Sequence, residues 1–307
     1  MFAVTAMPGP FGAFIDDVDL ADDLEPGVMG ALYDHRILVI RGQRLSHAAF
    51  VRFGARWGEP ILFFNPGDRH AEFPELIKID NSPATPEAMR DGAMHWHQDS
   101  SYEAVPASVT MLYAIEAPAD GNDTLFADLV AAYDALPEAL HGRIDGLMVR
   151  HSPAGGKVTL DGEKRGGGSG AGRGLPDVTH PLVPRHPVTG RRALYGISGT
   201  AAGIVGMDEG DAIDLLLHLK HHALQPAFRQ RARAEVGSVL IWDNFAVMHC
   251  ATPTRYSDAP GERRLLYRIS TRGVPSPPRQ DRGDALVAGV LVAGDAADPA
   301  EHLGDIE

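Results

Sequence analysis

The chain has 307 residues, of which 44% are hydrophobic, so it is long enough and apolar enough to bury a sizeable core. Its formal net charge of −13 excludes nucleic acid and anionic membranes as general partners, and no stretch approaches the length of a membrane span. A single cysteine, Cys250, excludes an internal disulfide, and the N-terminus lacks the features of a signal peptide, so we expect a cytoplasmic protein.

The first half of the chain alternates short apolar runs with a few helical segments. Ser46 is expected to cap a helix that carries Phe50, Phe53 and Trp57 at spacings of three and four. Pro137 is expected to interrupt a later helix. In chain order, the sequence predicts a helix over 22–35, strands over 36–42, 75–80, 108–117 and 124–129, and a helix over 129–140.

The second half begins with a segment of weak periodicity, about 152–179, that we expect to be a surface loop or a lid. Within it, residues 163–174 read EKRGGGSGAGRG, which is rich in glycine but lacks the ending of a phosphate-binding loop. A hairpin, a helix over 207–224 and four short strands follow, and 275–307 is expected to be a loosely held tail. Many short strands without a break in composition predict one β-rich domain over 1–274, with helices packed outside.

The segment GAMHWHQDSSY, residues 92–102, places His95, His97 and Asp99 on alternate positions. In a strand these three side chains share one face, which indicates either a metal site or an ordinary polar face. Two histidines and one carboxylate bind Fe(II) in many oxygenases and leave coordination positions open. His249, inside a predicted strand near the turn Asp243-Asn244, offers the second histidine of such a set, and His95 is then expected near the ligands.

The stretch RRLLYR, residues 263–268, places basic residues in an otherwise apolar strand. A buried arginine is costly without an anionic partner, and its guanidinium binds carboxylates in a bidentate way. Arg264 and Arg268 therefore indicate carboxylate ligands.

Four motifs in order resemble the taurine dioxygenase (TauD/TfdA) family of Fe(II)- and 2-oxoglutarate-dependent oxygenases. They are WHQD with His97 and Asp99, GNDTLFADL with Thr124, WDNFAVMH with His249, and RRLLYR with Arg264. The resemblance extends over about 9–273 through GPFGAFIDDVDL, RFGARWGEP and HPLVPRHPVTGRRALY.

The resemblance implies a mainly β fold with flanking helices, the double-stranded β-helix or jelly roll. It implies His97, Asp99 and His249 as iron ligands, and Thr124 and Arg264 as the clamp on the distal carboxylate of 2-oxoglutarate. The implied reaction uses O2 to oxidise an aliphatic C–H by hydroxylation, oxidative cleavage or desaturation, and it releases succinate and CO2. The family also implies a small-molecule substrate, and homo-oligomers are common in it.

Two departures from the family pattern concern the residues expected to bind the cosubstrate and the substrate. The loop between His249 and Arg264 is longer than usual, so Arg263 is an alternative clamp residue. In place of the sulfonate-binding histidine of taurine-specific members, this chain has Phe63 or Phe64, which favours a more apolar substrate.

Arg268 is expected near the second carboxylate of the cosubstrate or at the anion of the substrate, and we expect a small organic acid. The candidate substrate residues are Arg268, Tyr102, Phe63, Phe64, Asn81 and Ser100.

Two rival functions use the same scaffold. A halogenase leaves the carboxylate position open for chloride, and Asp99 argues against it. A cupin-like isomerase or a metal-binding protein without turnover needs no 2-oxoglutarate clamp, and Arg264 with Thr124 argues against that reading.

Overall fold

The computed structural model describes residues 2–22, 26–63, 65–87, 92–160, 163, 175–273 and 292–293. The helices are α1 (Pro26–His35), α2 (His47–Ala55), α3 (Leu129–Asp134), α4 (Glu138–Ile144) and α5 (Glu209–Ala223), with 3-10 turns at Pro66–Asp68 and Pro226–Phe228. The strands of the first half are β1 (Ala3–Ala6), β2 (Ala13–Asp16), β3 (Ile37–Ile40), β4 (Glu59–Pro60), β5 (Ile77–Asp80), β6 (Val109–Glu116), β7 (Asp123–Asp128) and β8 (Met148–His151). Those of the second half are β9 (Val178–Pro181), β10 (Pro184–Arg185), β11 (Ala201–Ile204), β12 (Arg229–Arg233), β13 (Val239–Asp243), β14 (Val247–Ala251), β15 (Leu265–Arg272) and β16 (Val292–Ala293).

An eight-stranded sheet and a three-stranded sheet build the central part of the fold. The larger sheet has the order β1-β2-β3-β13-β6-β15-β4, with β5 also paired to β15, and the smaller sheet has the order β12-β7-β14. All pairings are antiparallel except β2 with β3. A second three-stranded sheet, β11-β8-β9, flanks them.

Successive side chains of the central strands point to opposite sides of the sheet and pack in two hydrophobic clusters. On β13, Leu240 and Trp242 belong to the cluster that also contains the smaller sheet, whereas Val239 and Ile241 pack with the helices α1 and α2. On β15, Leu266 lies on the first side and Ile269 on the second. The even-numbered positions of β15 therefore face the space between the sheets, and Arg268 shares that face.

Most predicted elements are confirmed, with bounds that are shorter or shifted by a few residues. Ser46 caps α2 by accepting a hydrogen bond from the amide of Ala49, and Pro137 separates α3 from α4. The regular strand considered for His95, His97 and Asp99 is not formed, because His97 forms an isolated bridge with His249 and Asp99 lies in a turn. The second arm of the predicted hairpin is reduced to a bridge between Arg185 and Arg192.

Two predictions concern segments that the structure covers only in part. The glycine-rich segment is described at 152–160, 163 and 175–179, and the rest of it lies outside the described residues. Of the predicted tail, only Val292–Ala293 is described, and it pairs with β10. The boundary at 274 and the lid therefore stay predictions. Among the described residues, no helix is long and apolar enough to cross a membrane.

Candidate functional site

Two histidines from distant parts of the chain meet at the edge of the smaller sheet. His97 and His249 exchange two backbone hydrogen bonds of 2.9 Å, and their ring centroids lie 4.1 Å apart. Asp99 follows in the turn after His97, and ligand atoms of the three side chains lie within 4.8 Å of one another. The structure therefore brings together the three predicted metal ligands.

Local contacts orient both imidazoles toward Asp99. His97 Nδ1 lies 2.7 Å from the carbonyl oxygen of His95, which only accepts, so Nδ1 carries the proton and Nε2 keeps its lone pair. The Nε2 atoms of His97 and His249 lie 3.9 and 3.6 Å from the Asp99 carboxylate oxygens. His249 Nδ1 is buried without a partner among the described residues, so ring packing on Trp242 and Phe126 orients this side chain.

A buried polar network fixes the Asp99 carboxylate. Thr110 donates a hydrogen bond of 2.8 Å to Asp99 Oδ2 and accepts one of 2.9 Å from Asn244 Nδ2. Asn244 Oδ1 accepts from the Trp242 indole at 3.1 Å, and Arg268 Nη1 lies 3.5 Å from Asp99 Oδ1. Asn244 therefore supports the carboxylate, in addition to the turn role that the sequence suggests.

The electrostatics of the three side chains suit a divalent cation. Burial lowers the pKa of His97 to about 3 and that of His249 to about 4, so both imidazoles are neutral at pH 7. Burial alone would raise the pKa of Asp99, but His249 and Arg268 outweigh it and lower the value to about 2. Neutral imidazoles and an ionised carboxylate are the protonation states in which these side chains bind metal, so the residues present fit Fe(II).

Arg264 lies just before β15 and is buried, with 8% of its surface exposed. Its Nε donates a hydrogen bond of 2.6 Å to Asn122 Oδ1, and its backbone amide donates one of 2.7 Å to Asn81 Oδ1. Burial lowers the pKa of the guanidinium to about 10, and no carboxylate of the described residues forms an ion pair with it. Such a cation is suited to an anionic ligand.

Thr124 lies on β7 opposite Ala251 of β14, two positions from the pair formed by Phe126 and His249. Because paired residues and alternate positions share a face, Thr124 points to the same side as His249. Asn122, which accepts the hydrogen bond from Arg264, lies two positions before Thr124 in the chain, so both are on the same segment. The predicted clamp residues are therefore close in the fold, and the hydroxyl of Thr124 forms no hydrogen bond with a described residue.

The alternative clamp residue, Arg263, faces other carboxylates. Its guanidinium lies 3.5 Å from Asp80 and 3.6 Å from Glu116, so the structure favours Arg264. Asn81 also differs from the prediction, because its Nδ2 donates to the carbonyl oxygens of Arg255 at 2.6 Å and Glu262 at 3.0 Å. Asn81 therefore helps to position Arg264, and its predicted contact with the substrate stays a prediction.

Two of the remaining substrate candidates, Phe63 and Tyr102, lie near Arg268. Its guanidinium carbon lies 5.8 Å from the Phe63 ring centroid, and its Nε is buried without a partner among the described residues. Burial and the nearby Glu103 raise the pKa of Tyr102 to about 12, and the Ser100 side chain hydrogen-bonds with Tyr102. Ser100 adopts a φ of 53°, which turns the chain directly after Asp99. Phe64 lies outside the described residues.

Sequence comparison decides the family. The model described as "Taurine catabolism dioxygenase TauD, TfdA family" matches residues 3–270. The chain belongs to this family. The TauD/TfdA jelly roll is thus confirmed, and the chain is a 2-oxoglutarate-dependent dioxygenase that requires Fe(II), 2-oxoglutarate and O2.

Three relatives of this TauD/TfdA dioxygenase illustrate the family. An alpha-ketoglutarate-dependent 2,4-dichlorophenoxyacetate dioxygenase of Cupriavidus pinatubonensis is 32% identical over 85% of this chain and 94% of its own length. An (S)-phenoxypropionate/alpha-ketoglutarate-dioxygenase of Sphingobium herbicidovorans is 30% identical over 90% and 96%. The crystal structure of a taurine dioxygenase from Burkholderia xenovorans has a TM-score of 0.71 at 30% identity and covers 95% of this chain and 96% of its own.

Sequence reasoning missed the residues that support the ligands of this dioxygenase. Thr110 lies in an apolar strand, and Asn122 lies in a turn that gave no sign of contact with Arg264. Their partners are 11 and 142 positions away in the sequence, beyond the reach of local periodicity. The only local signal is a polar residue at a strand position whose side chain faces the interior.

Proposed function

We propose that His97, Asp99 and His249 hold Fe(II), and that this dioxygenase oxidises an aliphatic C–H of a small carboxylic acid. The reaction converts 2-oxoglutarate to succinate and CO2. The bound metal supplies the activation of O2, for which side chains have no equivalent. The chain's own part is to bind both acids, orient the C–H bond and keep water from the site.

The observation that carries the proposal is a buried arginine and a threonine hydroxyl whose chemistry suits a carboxylate. Among the described residues Arg264 is buried without a carboxylate partner, and the Thr124 hydroxyl, on the same side as His249, forms no hydrogen bond with them. A dicarboxylate that is bound near the triad through one end satisfies both groups with the other. We assign the distal carboxylate of 2-oxoglutarate to Arg264 and Thr124.

Arg268 supports an anionic prime substrate. One edge of its guanidinium is near Asp99, while its buried Nε has no partner among the described residues. The Phe63 ring lies 5.8 Å from the guanidinium carbon, and Tyr102 is close enough for the charge of Arg268 to act on the pKa of its phenol. We propose that Arg268 binds the substrate carboxylate and that Phe63 and Tyr102 contact its apolar body.

The names of two relatives point to the same chemical class. Both 2,4-dichlorophenoxyacetate and phenoxypropionate are carboxylates joined to an aromatic ether, and both are small. Such acids match a pocket that combines a cation with aromatic walls. We therefore propose a small carboxylic acid with an apolar or aromatic body.

The test is substrate-dependent release of succinate from 2-oxoglutarate under air with added Fe(II). A panel of phenoxyalkanoates and alkanoates is compared with the corresponding neutral amides, and we expect turnover of acids alone. Efficient turnover of the amides would overturn the assignment of an anionic substrate.

Arg268→Leu separates the two acids that the site binds. We expect it to raise the KM for the prime substrate more than the KM for the cosubstrate, and Arg268→Lys to have a smaller effect because it keeps the charge. An equal rise for both acids would place Arg268 in the cosubstrate site.

A further inference from the structure

A buried ion pair lies beside the metal-binding segment. Lys220, on α5, is fully buried, and its Nζ lies 2.6 Å from Glu163 Oε2 and donates a hydrogen bond of 3.0 Å to the Val158 carbonyl. Lysine is seldom fully buried unless its ammonium is paired. The amphipathic helix therefore directs a cation inward to hold one carboxylate.

Glu163 uses that carboxylate to join three parts of the chain. Its Oε1 accepts a hydrogen bond of 2.7 Å from the backbone amide of Trp96, and its Oε2 accepts one of 2.8 Å from the amide of Leu160. The side chain is only 7% exposed. One carboxylate thus connects helix α5, the amide of Leu160 and the residue directly before His97.

The peptide group between His95 and Trp96 connects Glu163 to the proposed metal ligand. Its N–H, on Trp96, donates to Glu163, and its carbonyl oxygen, on His95, accepts from His97 Nδ1 at 2.7 Å. Hydrogen bonds that pass through one peptide group polarise each other, so an anionic acceptor on the N–H makes the carbonyl a stronger acceptor. That carbonyl sets the tautomer of His97 and directs its Nε2 toward Asp99 and His249.

We propose that Glu163 is a positioning residue for His97, which it orients through the His95–Trp96 peptide, and that Lys220 holds the Glu163 carboxylate in place. The inference rests on the proposed function, because it takes His97 as a metal ligand. Glu163 contacts neither acid in this arrangement. Its loss therefore lowers the affinity for metal and leaves the relative KM values for the two acids unchanged.

The experiment is a Co(II) titration of the full-length metal-free protein, followed by the visible absorption of the bound ion. Glu163→Gln keeps the shape but places an amide NH2 against either the Trp96 or the Leu160 N–H, and it removes the charge. Loss of an outer partner of a ligating histidine weakens metal binding about 10- to 100-fold. Because Glu163 acts through a peptide, we expect the lower end, about tenfold.

Lys220→Met should act in the same direction, since it leaves the Glu163 carboxylate without its cation. If this variant does not fold, the double change Glu163→Gln with Lys220→Met removes both charges together. That protein should also bind Co(II) about tenfold more weakly than the wild type.

The matched control is Asp145→Asn, which breaks an ion pair with Arg192 that touches none of the three ligands. We expect unchanged Co(II) affinity for it, and no Co(II) binding at the site for His97→Ala. Wild-type affinity in Glu163→Gln, with binding lost in His97→Ala, would overturn the positioning role and leave the metal site standing. Equal weakening by Asp145→Asn would also overturn it, because the loss would then reflect general destabilisation. Full binding by His97→Ala would instead overturn the proposed metal site.

Discussion

Two buried groups in this molecule combine histidine with aspartate, and they differ in whether their hydrogen bonds are complete. At the first, His186 Nε2 lies 2.8 Å from Asp243 Oδ2, and His186 Nδ1 accepts from the amides of Val188 and Thr189, both at 3.1 Å. At the second, the Nε2 atoms of His97 and His249 stand 3.9 and 3.6 Å from Asp99, beyond hydrogen-bonding distance. Residue types alone do not mark a metal site; ligand atoms that lie within 4.8 Å of one another without hydrogen-bonding to each other do.

A contrast in charge pairing separates two adjacent arginines. Arg263 lies near two carboxylates, those of Asp80 and Glu116, and its side chain is 31% exposed. Arg264 is buried and has no ion-pair partner among the described residues. The buried guanidinium without a carboxylate partner among the described residues, that of Arg264, is the one expected to bind an anionic ligand.

The largest expected effect is loss of turnover when one of the three residues His97, Asp99 and His249 is removed. His249→Ala deletes one of three protein ligands, so Fe(II)-dependent succinate release should fall below detection. The β-sheet core should survive, which circular dichroism checks. Activity near that of the wild type would refute the assignment of His249.

A change in the other group, formed by His186 and Asp243, is the control for that experiment. His186→Ala leaves Asp243 without its buried donor and should lower the free energy of unfolding by about 1–3 kcal/mol. Metal affinity should not change, because His186 contacts none of the three ligands. A loss of metal binding in this variant would break the distinction between the two groups.

Next in size is the loss of the clamp on the cosubstrate. Arg264→Ala removes one partner of a buried charge pair, which costs about 2–5 kcal/mol and should raise the apparent KM for the cosubstrate at least about thirtyfold. Arg263→Ala should leave this KM within about twofold, since its carboxylate partners belong to the protein. Steady-state kinetics with 2-oxoglutarate as the varied component distinguishes the two, and the reverse order would assign the clamp to Arg263.

Contacts between distant segments explain what the sequence could and could not predict. The ligands His97, Asp99 and His249, with Arg264, were recognisable because their chemistry demands those residue types in a known order. Lys220 was expected only as part of an amphipathic helix, yet it is buried because Glu163, 57 positions earlier, supplies a carboxylate. His186 and Asp243 are also 57 positions apart, and local periodicity carries no information on such pairs.

The pH dependence of stability gives a further test of the group formed by His97, Asp99 and His249. Burial lowers the pKa of His249 to about 4, whereas an unfolded histidine titrates near about 6.5, so between these values the unfolded chain binds more protons. Stability of the metal-free protein should therefore fall as the pH is lowered through this window. His249 alone should contribute a loss of about 2 kcal/mol between pH 7 and pH 5.

Urea unfolding of the metal-free wild type and of His249→Gln at both pH values checks that contribution. The variant lacks the titrating imidazole, so its loss of stability on acidification should be smaller by about 2 kcal/mol. The same difference between the two pH values in both proteins would show that His249 is not held neutral by the fold.

The smallest expected effect concerns two buried threonines, which differ in the hydrogen bonds that their hydroxyl groups form with the described residues. Thr110 contacts Asp99, Ser270 and Asn244 through its hydroxyl, whereas the hydroxyl of Thr124 forms no hydrogen bond with a described residue. Thr124→Val keeps the shape and removes one hydrogen bond to the bound cosubstrate, which should cost about 1 kcal/mol, or about fivefold in the apparent KM for that acid. The free energy of unfolding without ligands should not decrease, because no protein partner is lost. A larger rise in KM than that of Arg264→Ala would reverse the ranking, since a single neutral hydrogen bond is weaker than a buried charge pair.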